Sequence, residues 1–416
     1  MKILWLSNML PGTVRSAVSG KPGSGLWLDS VLRDLRQQGM RLHLMCRGGT
    51  ARGALDENCS FALFPEEPPQ RYSQKQEAFF QKELEAFQPD VIHIWGSEYS
   101  HTLAMVKACG KAGYLDRVVV SIQGLCGVYA AHYVEGVPLM VQRGITFRDI
   151  VKRDNLLHQQ KVFALRGTLE AQALAQVNHV IGRTEWDLAC TQNIAPKAQY
   201  HHCNETLRQE FYAGSWEYTR CQKHRIFASS CSYPIKGFHY LLKALAEVVR
   251  DYPDATLAVP GKSFLQLDTM EKKLRAGSYQ TYLAQLARQY HLEDRIEFLG
   301  GLSADGMKEQ YLKANVFALP STIENSPNSL GEAMLLGTPC VAADVGGVST
   351  MLAHNREGFV YQSTAPYMLA HYIKRVFAMQ GEAARMGAAA AEHAGRTHDS
   401  ERNMEQLLSI YRQIDT

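Results

Sequence analysis

Short apolar runs alternate along the chain with longer stretches in which apolar residues recur every three or four positions. The runs are typical of strands buried on both faces, and the recurring pattern is typical of helices with one apolar side. This alternation predicts an α/β protein with parallel sheets, and the 416 residues are long enough for two such domains of ~200 residues each. Ligands of such sheets bind at the carboxyl ends of the strands.

The pattern divides into two series of elements. The first series predicts strands near 2–7, 41–45, 60–63, 90–94, 117–121 and 178–181, with helices near 26–38, 74–86, 101–112, 158–176 and 184–192. The second predicts strands near 225–229, 255–259, 295–298, 315–319, 339–343 and 358–360, with helices near 236–250, 279–290, 304–313, 327–336 and 366–379. A last helix is expected near 399–414, and the segment 122–157 has no regular pattern.

The stretch from Pro320 to Gly347 contains the clearest local signals. The apolar run 316–319 before it is typical of a buried strand. Ser326 is expected to be the N-cap of the next helix and Pro327 its first residue, because these residue types favour those positions. Gly337 should end this helix.

The start of that helix is a candidate phosphate site. Backbone N–H groups near Asn328 and Ser329 should be free of intrahelical bonds and carry part of the helix's positive charge. Glu324 precedes the helix, and Glu332 lies five residues past Pro327, roughly 7.5 Å along the axis. The two carboxylates could therefore accept hydrogen bonds from different parts of one extended ligand, such as a nucleotide sugar.

Glu324 and Glu332, which have seven residues between them and are followed by AMLLGTPCVAADVGG, resemble the donor-site signature of family 4 retaining glycosyltransferases. Further segments resemble landmarks of that family in the same order, so that the resemblance covers nearly the whole chain. They are DVIHIWGSE (90–98), VVVSIQGL (118–125), IFASS (226–230) with YPIKGFHYLLKAL (233–245), and IEFLG (296–300).

The resemblance implies the GT-B fold, in which two Rossmann-like domains with parallel sheets face a cleft. Residues 1–205 would form the acceptor-side domain, 206–398 the nucleotide-sugar donor domain, and 399–416 the helix that crosses back in this fold. The implied activity is a retaining, metal-independent transfer of a hexosyl unit from a nucleotide sugar, with a UDP sugar favoured. The acceptor would be a hydroxyl of a glycan or glycoconjugate, in cell-surface polysaccharide or glycoconjugate synthesis, and no cofactor is implied.

Three residues receive donor-site roles through the resemblance. Lys236 would bind the donor's phosphates, Glu324 the hydroxyls of the sugar and Glu332 those of the ribose. Free N–H groups at the start of the helix after Lys236 would add to the phosphate site. The proposed catalytic pair is therefore Glu324 and Lys236.

One position departs from the family. Ser230 stands where the family usually has an arginine, the second cation on the leaving group. Either Arg183, which follows a predicted strand, supplies the missing charge, or the helix N-termini carry more of it. The glycine-bearing loop 19–25, which ends at Gly25, is expected to approach the donor phosphates or the acceptor.

Four residues of the first half are weaker candidates. Gln123 stands where the family often has a histidine near the donor sugar, and its amide can still bond a hydroxyl. His93 ends a predicted strand and is either a hydrogen-bonded core histidine or a sugar contact. His132 and Tyr133 lie in the segment 122–157 and either line an acceptor pocket or belong to a loop without a chemical role.

Composition narrows the class of protein. Lys and Arg number 44 against 41 Asp and Glu, which gives no reason to expect a nucleic-acid partner. The nine cysteines are odd in number and never spaced as C-x-x-C, so we expect reduced thiols. The N-terminal apolar run is too short to span a bilayer, which favours a cytoplasmic enzyme. Peripheral contact with the inner face of a membrane stays open.

Metal chemistry is not expected, because the chain has no Asp-x-Asp pair and the sequence His201-His202-Cys203 cannot direct all three side chains at one ion. Two alternatives to glycosyl transfer remain. One is a sugar-nucleotide epimerase or a phosphorylase on the same fold, since a fold does not fix the second substrate. The other is a non-catalytic nucleotide-sugar-binding protein, which the departure at Ser230 keeps open.

Overall fold

The computed structural model describes residues 1–20, 27–266 and 269–415. The chain divides into two compact units. Unit 1 contains residues 1–130, 162–209 and 397–416, and unit 2 contains residues 131–161 and 210–396. The sequence had suggested that residues 1–205 form one domain, whereas the structure groups 131–161 with the second unit.

Within the described residues, the sheet of unit 1 has eight strands in the order β3-β4-β2-β1-β5-β6-β7-β8. All neighbours are parallel except β3, which runs antiparallel to β4 at the edge. The strands are β1 (Lys2–Ser7), β2 (Arg41–Arg47), β3 (Arg52–Asp56), β4 (Cys59–Phe64), β5 (Val91–Trp95), β6 (Val118–Ser121), β7 (His179–Gly182) and β8 (Gln199–His202).

Strand β1 shows why its sequence is a continuous apolar run. Ile3 and Trp5 belong to one hydrophobic cluster, and Leu4 and Leu6 belong to another on the opposite face of the sheet. Because side chains alternate along a strand, a strand covered on both faces needs apolar residues at every position.

The helices up to residue 194 cover these faces or connect the strands. They are α1 (Gly12–Ser19), α2 (Trp27–Gln37), α3 (Gln74–Phe87), α4 (Ser100–Ala112), α5 (Cys126–His132), α6 (Leu139–Gln142), α7 (Phe147–Lys152), α8 (Leu156–Leu174) and α9 (Glu185–Ile194). The segment 122–157 therefore contains three short helices where no regular structure was expected. In α7, Thr146 and Asp149 form a capping box, the local signal that favours a helix there.

Unit 2 contains a parallel sheet of six strands in its described part, in the order β11-β10-β9-β12-β13-β14. The predicted α/β class with parallel sheets is thus confirmed. The strands are β9 (Arg225–Phe227), β10 (Thr256–Val259), β11 (Ile296–Phe298), β12 (Val316–Leu319), β13 (Cys340–Asp344) and β14 (Phe359–Gln362).

The remaining helices are named in chain order, and all but the last lie in unit 2 or end at its boundary. They are α10 (Phe238–Asp251), α11 (Met270–Arg275), α12 (Ser278–Gln289), α13 (Ala304–Lys313), α14 (Asn328–Leu335), α15 (Val348–Met351), α16 (Pro366–Met379), α17 (Glu382–Thr397) and α18 (Ser400–Ile414). Helix α18 packs in unit 1, where the Trp5 indole N–H donates to the Tyr411 hydroxyl at 3.2 Å.

The segment 131–161 is attached to unit 2 by a buried histidine. Nε2 of His239 donates to the carbonyl of Glu135 at 3.1 Å, and the Tyr279 hydroxyl lies 3.0 Å from Nδ1. Burial lowers the pKa of His239 to about 3, so this histidine is neutral near pH 7. These buried polar contacts fix residues 132–137 against helix α10.

Candidate active site

The candidate site of unit 2 lies along the carboxyl edge of its sheet. Strand β9 leads to Ser229 and Ser230, its neighbour β12 leads to the loop 320–324, and its other neighbour β10 leads to Lys262. Because the strands are parallel, these three connections emerge at the same edge. The topology therefore brings together residues that are up to 95 positions apart in the sequence.

The two residues predicted to be catalytic are directly paired in unit 2. Nζ of Lys236 lies 2.6 Å from Oε1 of Glu324, and the Ser321 hydroxyl donates to the same oxygen at 2.8 Å. Glu324 is buried, and the Lys236 side chain is 32% exposed. No donor among the described residues bonds Oε2 of Glu324, so this oxygen is available to a ligand.

Two glycines hold the Glu324 loop by close backbone approach. Gly237 has φ +64°, and a Cβ there would lie 1.7 Å from the Pro320 carbonyl oxygen. Gly346 has φ +51°, and a Cβ there would lie 1.8 Å from the Glu324 carbonyl oxygen. Side chains larger than hydrogen do not fit at either position, and left-handed backbone itself disfavours them. The carboxylate is thus positioned by backbone packing from two sides.

Lys236 lies in a short 3-10 turn, Pro234–Lys236, and not in the first turn of an α-helix as the sequence suggested. The left-handed Gly237 follows this turn and is the N-cap of α10. The turn also contacts the Glu324 loop, since the backbone N–H of Thr322 donates to the carbonyl of Ile235 at 2.8 Å. Lysine and glutamate are therefore held by two connected loops.

Helix α14 begins one residue later than predicted. Pro327 is its N-cap, with φ −68° and ψ 113°, and no side chain caps the helix. The Ser326 hydroxyl lies 3.5 Å from the sulfur of Met351, so Ser326 is not the cap that its residue type suggested. Leu330 donates the first backbone bond to Pro327, which leaves the N–H groups of Asn328 and Ser329 before the bonded part of the helix.

Glu332 faces the interior of unit 2. It is buried on α14, and the hydroxyl of Tyr311 donates to its Oε2 at 3.4 Å. Tyr311 is completely buried on α13. A carboxylate can accept several hydrogen bonds, so the bond from Tyr311 does not by itself prevent others.

Ser230 has a local structural contact. Its hydroxyl accepts a hydrogen bond from the Ser232 N–H at 3.3 Å. Lys262 was not singled out from the sequence, although it lies three residues beyond the end of strand β10 and is exposed at the same edge. The rule that sites form at strand carboxyl ends would have identified it, once β10 was known to neighbour β9.

In unit 1, Arg183 and Gln123 meet at a glutamate that the sequence analysis missed. Nη1 of Arg183 lies 2.5 Å from Oε2 of Glu205, and the Gln123 amide donates to Oε1. Nη2 of Arg183 also donates to the carbonyl of Ile122 at 3.2 Å. The guanidinium is buried and already neutralised, so a phosphate would have to compete with Glu205 for it. Burial raises the pKa of Glu205, and Arg183 opposes this shift.

Two weaker candidates lie in the protein interior. His93 is fully buried, with Nδ1 2.6 Å from the Tyr411 hydroxyl and Nε2 2.7 Å from the Ser121 hydroxyl. Burial lowers its pKa to about 3. Tyr133 is 1% exposed, and its hydroxyl donates to Gln159 at 2.6 Å. Neither side chain offers surface to a sugar, so both agree with the structural alternative that the sequence left open.

His132 lies beside the loop 320–324 of unit 2, a position that the sequence did not predict. Its carbonyl accepts a hydrogen bond at 3.2 Å from the hydroxyl of Thr322, which lies two residues before Glu324. Its ring Nδ1 lies 2.6 Å from Glu135, and the side chain is partly exposed. Gly25 lies outside the described residues.

Unit 1 also contains two glutamates, Glu98 and Glu170, that the sequence analysis did not identify. The Ser97 hydroxyl donates to Glu170 at 2.6 Å, and burial, reinforced by the charge of Glu98, raises the pKa of Glu170 to about 8. Glu98 follows strand β5, and its Oε2 is buried without a hydrogen-bond partner among the described residues. Glu170 lies on α8, 72 residues further along the chain, so its proximity could not be predicted locally.

No group of three or more His, Cys, Asp or Glu residues in the described ranges is arranged to hold a metal ion. No described helix has the length and apolar character that crossing a bilayer requires. The metal-independent reaction remains a prediction.

The match of this chain to a known protein family lies in its second half. A family model described as glycosyl transferases group 1 matches residues 222–393. A D-inositol 3-phosphate glycosyltransferase of Corynebacterium urealyticum is 27% identical over 187 residues, which are 44% of this chain and 41% of that protein. The chain spans less than half the length of the curated relatives that it matches.

Solved structures match nearly the whole chain. Sucrose-phosphate synthase of Thermosynechococcus elongatus has a TM-score of 0.72 at 16% identity, over 99% of this chain and 98% of that one. HepE of Anabaena, solved in complex with UDP-glucose, has a TM-score of 0.68 at 17% identity, over 99% of this chain and 100% of that one. Residues 222–393 therefore match the glycosyl transferases group 1 family model, and the chain has the GT-B fold.

Proposed function

We propose that the protein is a retaining, metal-independent glycosyltransferase that moves a hexosyl unit from a UDP sugar to a hydroxyl of a glycan or glycoconjugate. The observation that carries this proposal is the Lys236–Glu324 pair at the carboxyl edge of the sheet in unit 2, beside the start of α14. The structural neighbour HepE has been solved with UDP and with UDP-glucose, which supports a UDP sugar as donor.

In the proposed chemistry, a cation of the protein contacts the diphosphate of the donor, and two carboxylates contact its sugar and its ribose. As the anomeric C–O bond breaks, negative charge develops on the leaving diphosphate, which Lys236 and the N–H groups of Asn328 and Ser329 would stabilise. Glu324 would accept hydrogen bonds from the sugar hydroxyls through Oε2, and Glu332 would do so from the ribose. The acceptor hydroxyl would attack from the face that the diphosphate leaves and would give its proton to the departing phosphate oxygen, so the anomeric configuration would be retained.

Lys262 would supply the second cation on the diphosphate. The strand that precedes it, β10, is the neighbour of β9, which leads to Ser230. Arg183, the other candidate, is buried and paired with Glu205, whereas the Lys262 side chain is exposed. A lysine acts as a flexible point charge, so it can reach a phosphate from an adjacent strand end.

The reaction would take place in the cytoplasm. All nine cysteines are free thiols, and eight of them are buried, as is typical of proteins from a reducing compartment. Burial raises the pKa of Cys126, Cys203 and other buried thiols, which makes them poor nucleophiles and argues against a catalytic cysteine.

The test is calorimetric titration with UDP, GDP, ADP and CDP sugars in the presence of EDTA. We expect one nucleotide to bind, with UDP favoured, and Glu332→Ala to weaken that binding at least tenfold. Glu309→Ala is the matched control, because Glu309 is an exposed glutamate in the neighbouring helix α13. Absence of binding to every nucleotide sugar would contradict the proposal.

A second measurement separates transfer from the alternative reactions on this fold. With the donor identified, NMR of the anomeric proton after incubation with an acceptor panel should show a product with the donor's configuration. A changed sugar nucleotide formed without any acceptor would instead indicate an epimerase. Tight binding with no turnover on any acceptor would favour a non-catalytic binding protein.

A further inference from the structure

Large apolar side chains are exposed together in one short part of unit 2. Six of them, all within residues 139–151, are between 56% and 87% exposed. They lie on helices α6 and α7 and on the turn between these helices. They are Leu139, Met140, Ile145, Phe147, Ile150 and Val151.

Helix α7 exposes its apolar side and buries an acidic residue, which is the reverse of the usual arrangement in an amphipathic helix. Phe147, Ile150 and Val151 follow i, i+3, i+4 spacing and therefore share one side, which is exposed. Asp149 is buried and paired with Arg148, which also holds Asp154 through two hydrogen bonds of 2.6 and 2.8 Å. In a globular protein the apolar side faces the core. Exposure of the apolar side of α7 indicates that this side contacts an apolar partner.

Helix α11 extends the same surface. It packs beside α7 in unit 2. Met270 and Leu274 are one helical turn apart and are 70% and 40% exposed. We call the exposed apolar and basic side chains of 139–153 and 270–275 the basic apolar patch.

The charge of this patch is strongly positive. Residues 139–153 contain four basic and one acidic residue, and residues 270–275 contain three basic and one acidic residue. Together with Asp154, which pairs with Arg148, the two segments carry +5 − 1 = +4, whereas the whole chain carries +3, so the rest of the chain carries −1. Arg143, Lys152 and Arg153 are exposed among the apolar side chains. A partner for this surface should combine negative charge with an apolar interior.

We propose that the basic apolar patch docks on the surface of an anionic lipid bilayer. Apolar side chains would enter the boundary between headgroups and acyl chains, and the cations would lie at the level of the anionic headgroups. A second copy of the chain fits less well. In a symmetric dimer the patch would face itself and would bring Arg143, Lys152 and Arg153 close to their own copies, which is repulsive. The inference goes beyond the proposed function and needs no nucleotide sugar for its test.

The test is co-sedimentation of the full-length protein with vesicles of phosphatidylcholine alone or with 30% phosphatidylglycerol. We expect binding only to the anionic vesicles, and weaker binding in 0.5 M NaCl, because salt screens surface charge. The triple variant Arg143→Glu, Lys152→Glu, Arg153→Glu should bind more than about 100-fold more weakly, at about fivefold for each lost cation. Thermal melts confirm that this variant is folded.

The matched control carries Lys75→Glu, Lys197→Glu and Arg412→Glu, which change the net charge equally at exposed positions outside the patch. It should bind as the unchanged protein does. A second patch variant, Phe147→Ser with Ile150→Ser, keeps the charge and should still lose binding. Equal loss in the control, or no preference for anionic vesicles, would overturn the proposal. So would a dimer in solution that the Phe147→Ser, Ile150→Ser variant dissociates without any vesicle binding.

Discussion

Nζ of Lys236 lies 2.6 Å from Oε1 of Glu324, a contact that joins two loops 88 residues apart. The carboxylate is much more buried than the ammonium group, with side-chain exposures of 8% and 32%. Loss of the lysine would therefore leave a buried negative charge without its cation, at the place where a diphosphate is expected to leave. The ion pair fixes the position of the Lys236 ammonium group in advance.

The first prediction concerns this lysine. Lys236→Ala should lower turnover by on the order of 10² or more, because one preorganised cation on the leaving group is lost. It should also weaken binding of UDP while leaving that of uridine nearly unchanged, since only UDP carries phosphates. Calorimetry with both ligands measures the binding difference, and initial rates with the identified donor measure turnover.

Lys313→Ala is the control, because Lys313 is exposed and its ion pair with Glu309 lies on the surface of α13. It should leave both binding and turnover unchanged. Equal loss of UDP and uridine affinity in Lys236→Ala would mean that the lysine supports the fold of the loop and does not contact phosphate.

The second prediction tests whether Lys262 replaces the arginine that the family usually has at the position of Ser230. Lys262→Ala should reduce turnover and UDP affinity in the manner of Lys236→Ala. The double variant Lys262→Ala, Ser230→Arg should recover a large part of both, because the cation returns from the adjacent strand end. Initial rates of the single and double variants provide the comparison.

The control for the Ser230→Arg variant is an arginine introduced at a neighbouring position. Ser232 is exposed two residues beyond Ser230, and Lys262→Ala with Ser232→Arg has the same composition as the rescuing variant. It should stay as slow as Lys262→Ala alone. If Lys262→Ala turns over at the original rate, the second cation is supplied elsewhere.

Local sequence was sufficient to predict most of the fold and the position of the loop that carries Glu324. The apolar runs of β1 and β12 predicted buried strands, and both strands are found at the predicted positions. Strand β3 was missed because it is an exposed edge strand without an apolar run. Helices α6 and α7 were missed because each is too short to show a helical period.

Partners that are distant in the sequence could not be predicted. The role of His93 depends on Tyr411, which lies 318 residues away and supplies one of its two hydrogen bonds. Arg183 was a candidate for a free cation until the fold placed Glu205 beside it. In both cases the residue type allowed a binding role, and only the fold showed that the side chain already has a tertiary partner.

The third prediction concerns the close approach of Gly346 to the Glu324 loop. Gly346→Ala combines a left-handed residue, which costs about 1–2 kcal/mol, with a Cβ 1.8 Å from the Glu324 carbonyl oxygen. The loop must move, so donor binding should be lost and the melting temperature should fall. Gly113→Ala is the control, since Gly113 has φ +75° and no atom within 4 Å of its Cβ position. It should lower the melting temperature less and leave donor binding intact, whereas equal effects of the two variants would argue against a positioned loop.

The fourth prediction concerns the buried carboxyl group of Glu170. Burial raises its pKa in the folded protein to about 8, from 4.5 for a glutamate side chain in water. Between these two pH values the folded state binds more protons than the unfolded state, so the free energy of unfolding falls as the pH rises. The contribution is fully present below pH 4.5 and is lost by the time the pH has passed 8.

Glu170→Gln removes this titration and keeps a group that can hydrogen-bond to Ser97. Relative to the unchanged protein, the variant should gain stability as the pH rises from 5 to 8, by up to about 1.4 kcal/mol per pH unit. Thermal melts of both proteins at pH 5, 6.5 and 8 measure the change in their difference. Glu85→Gln, at an exposed position of helix α3, should show a constant difference. Parallel curves for Glu170→Gln and the unchanged protein would mean that Glu170 is already ionised at pH 5, and that a cation or water compensates its burial.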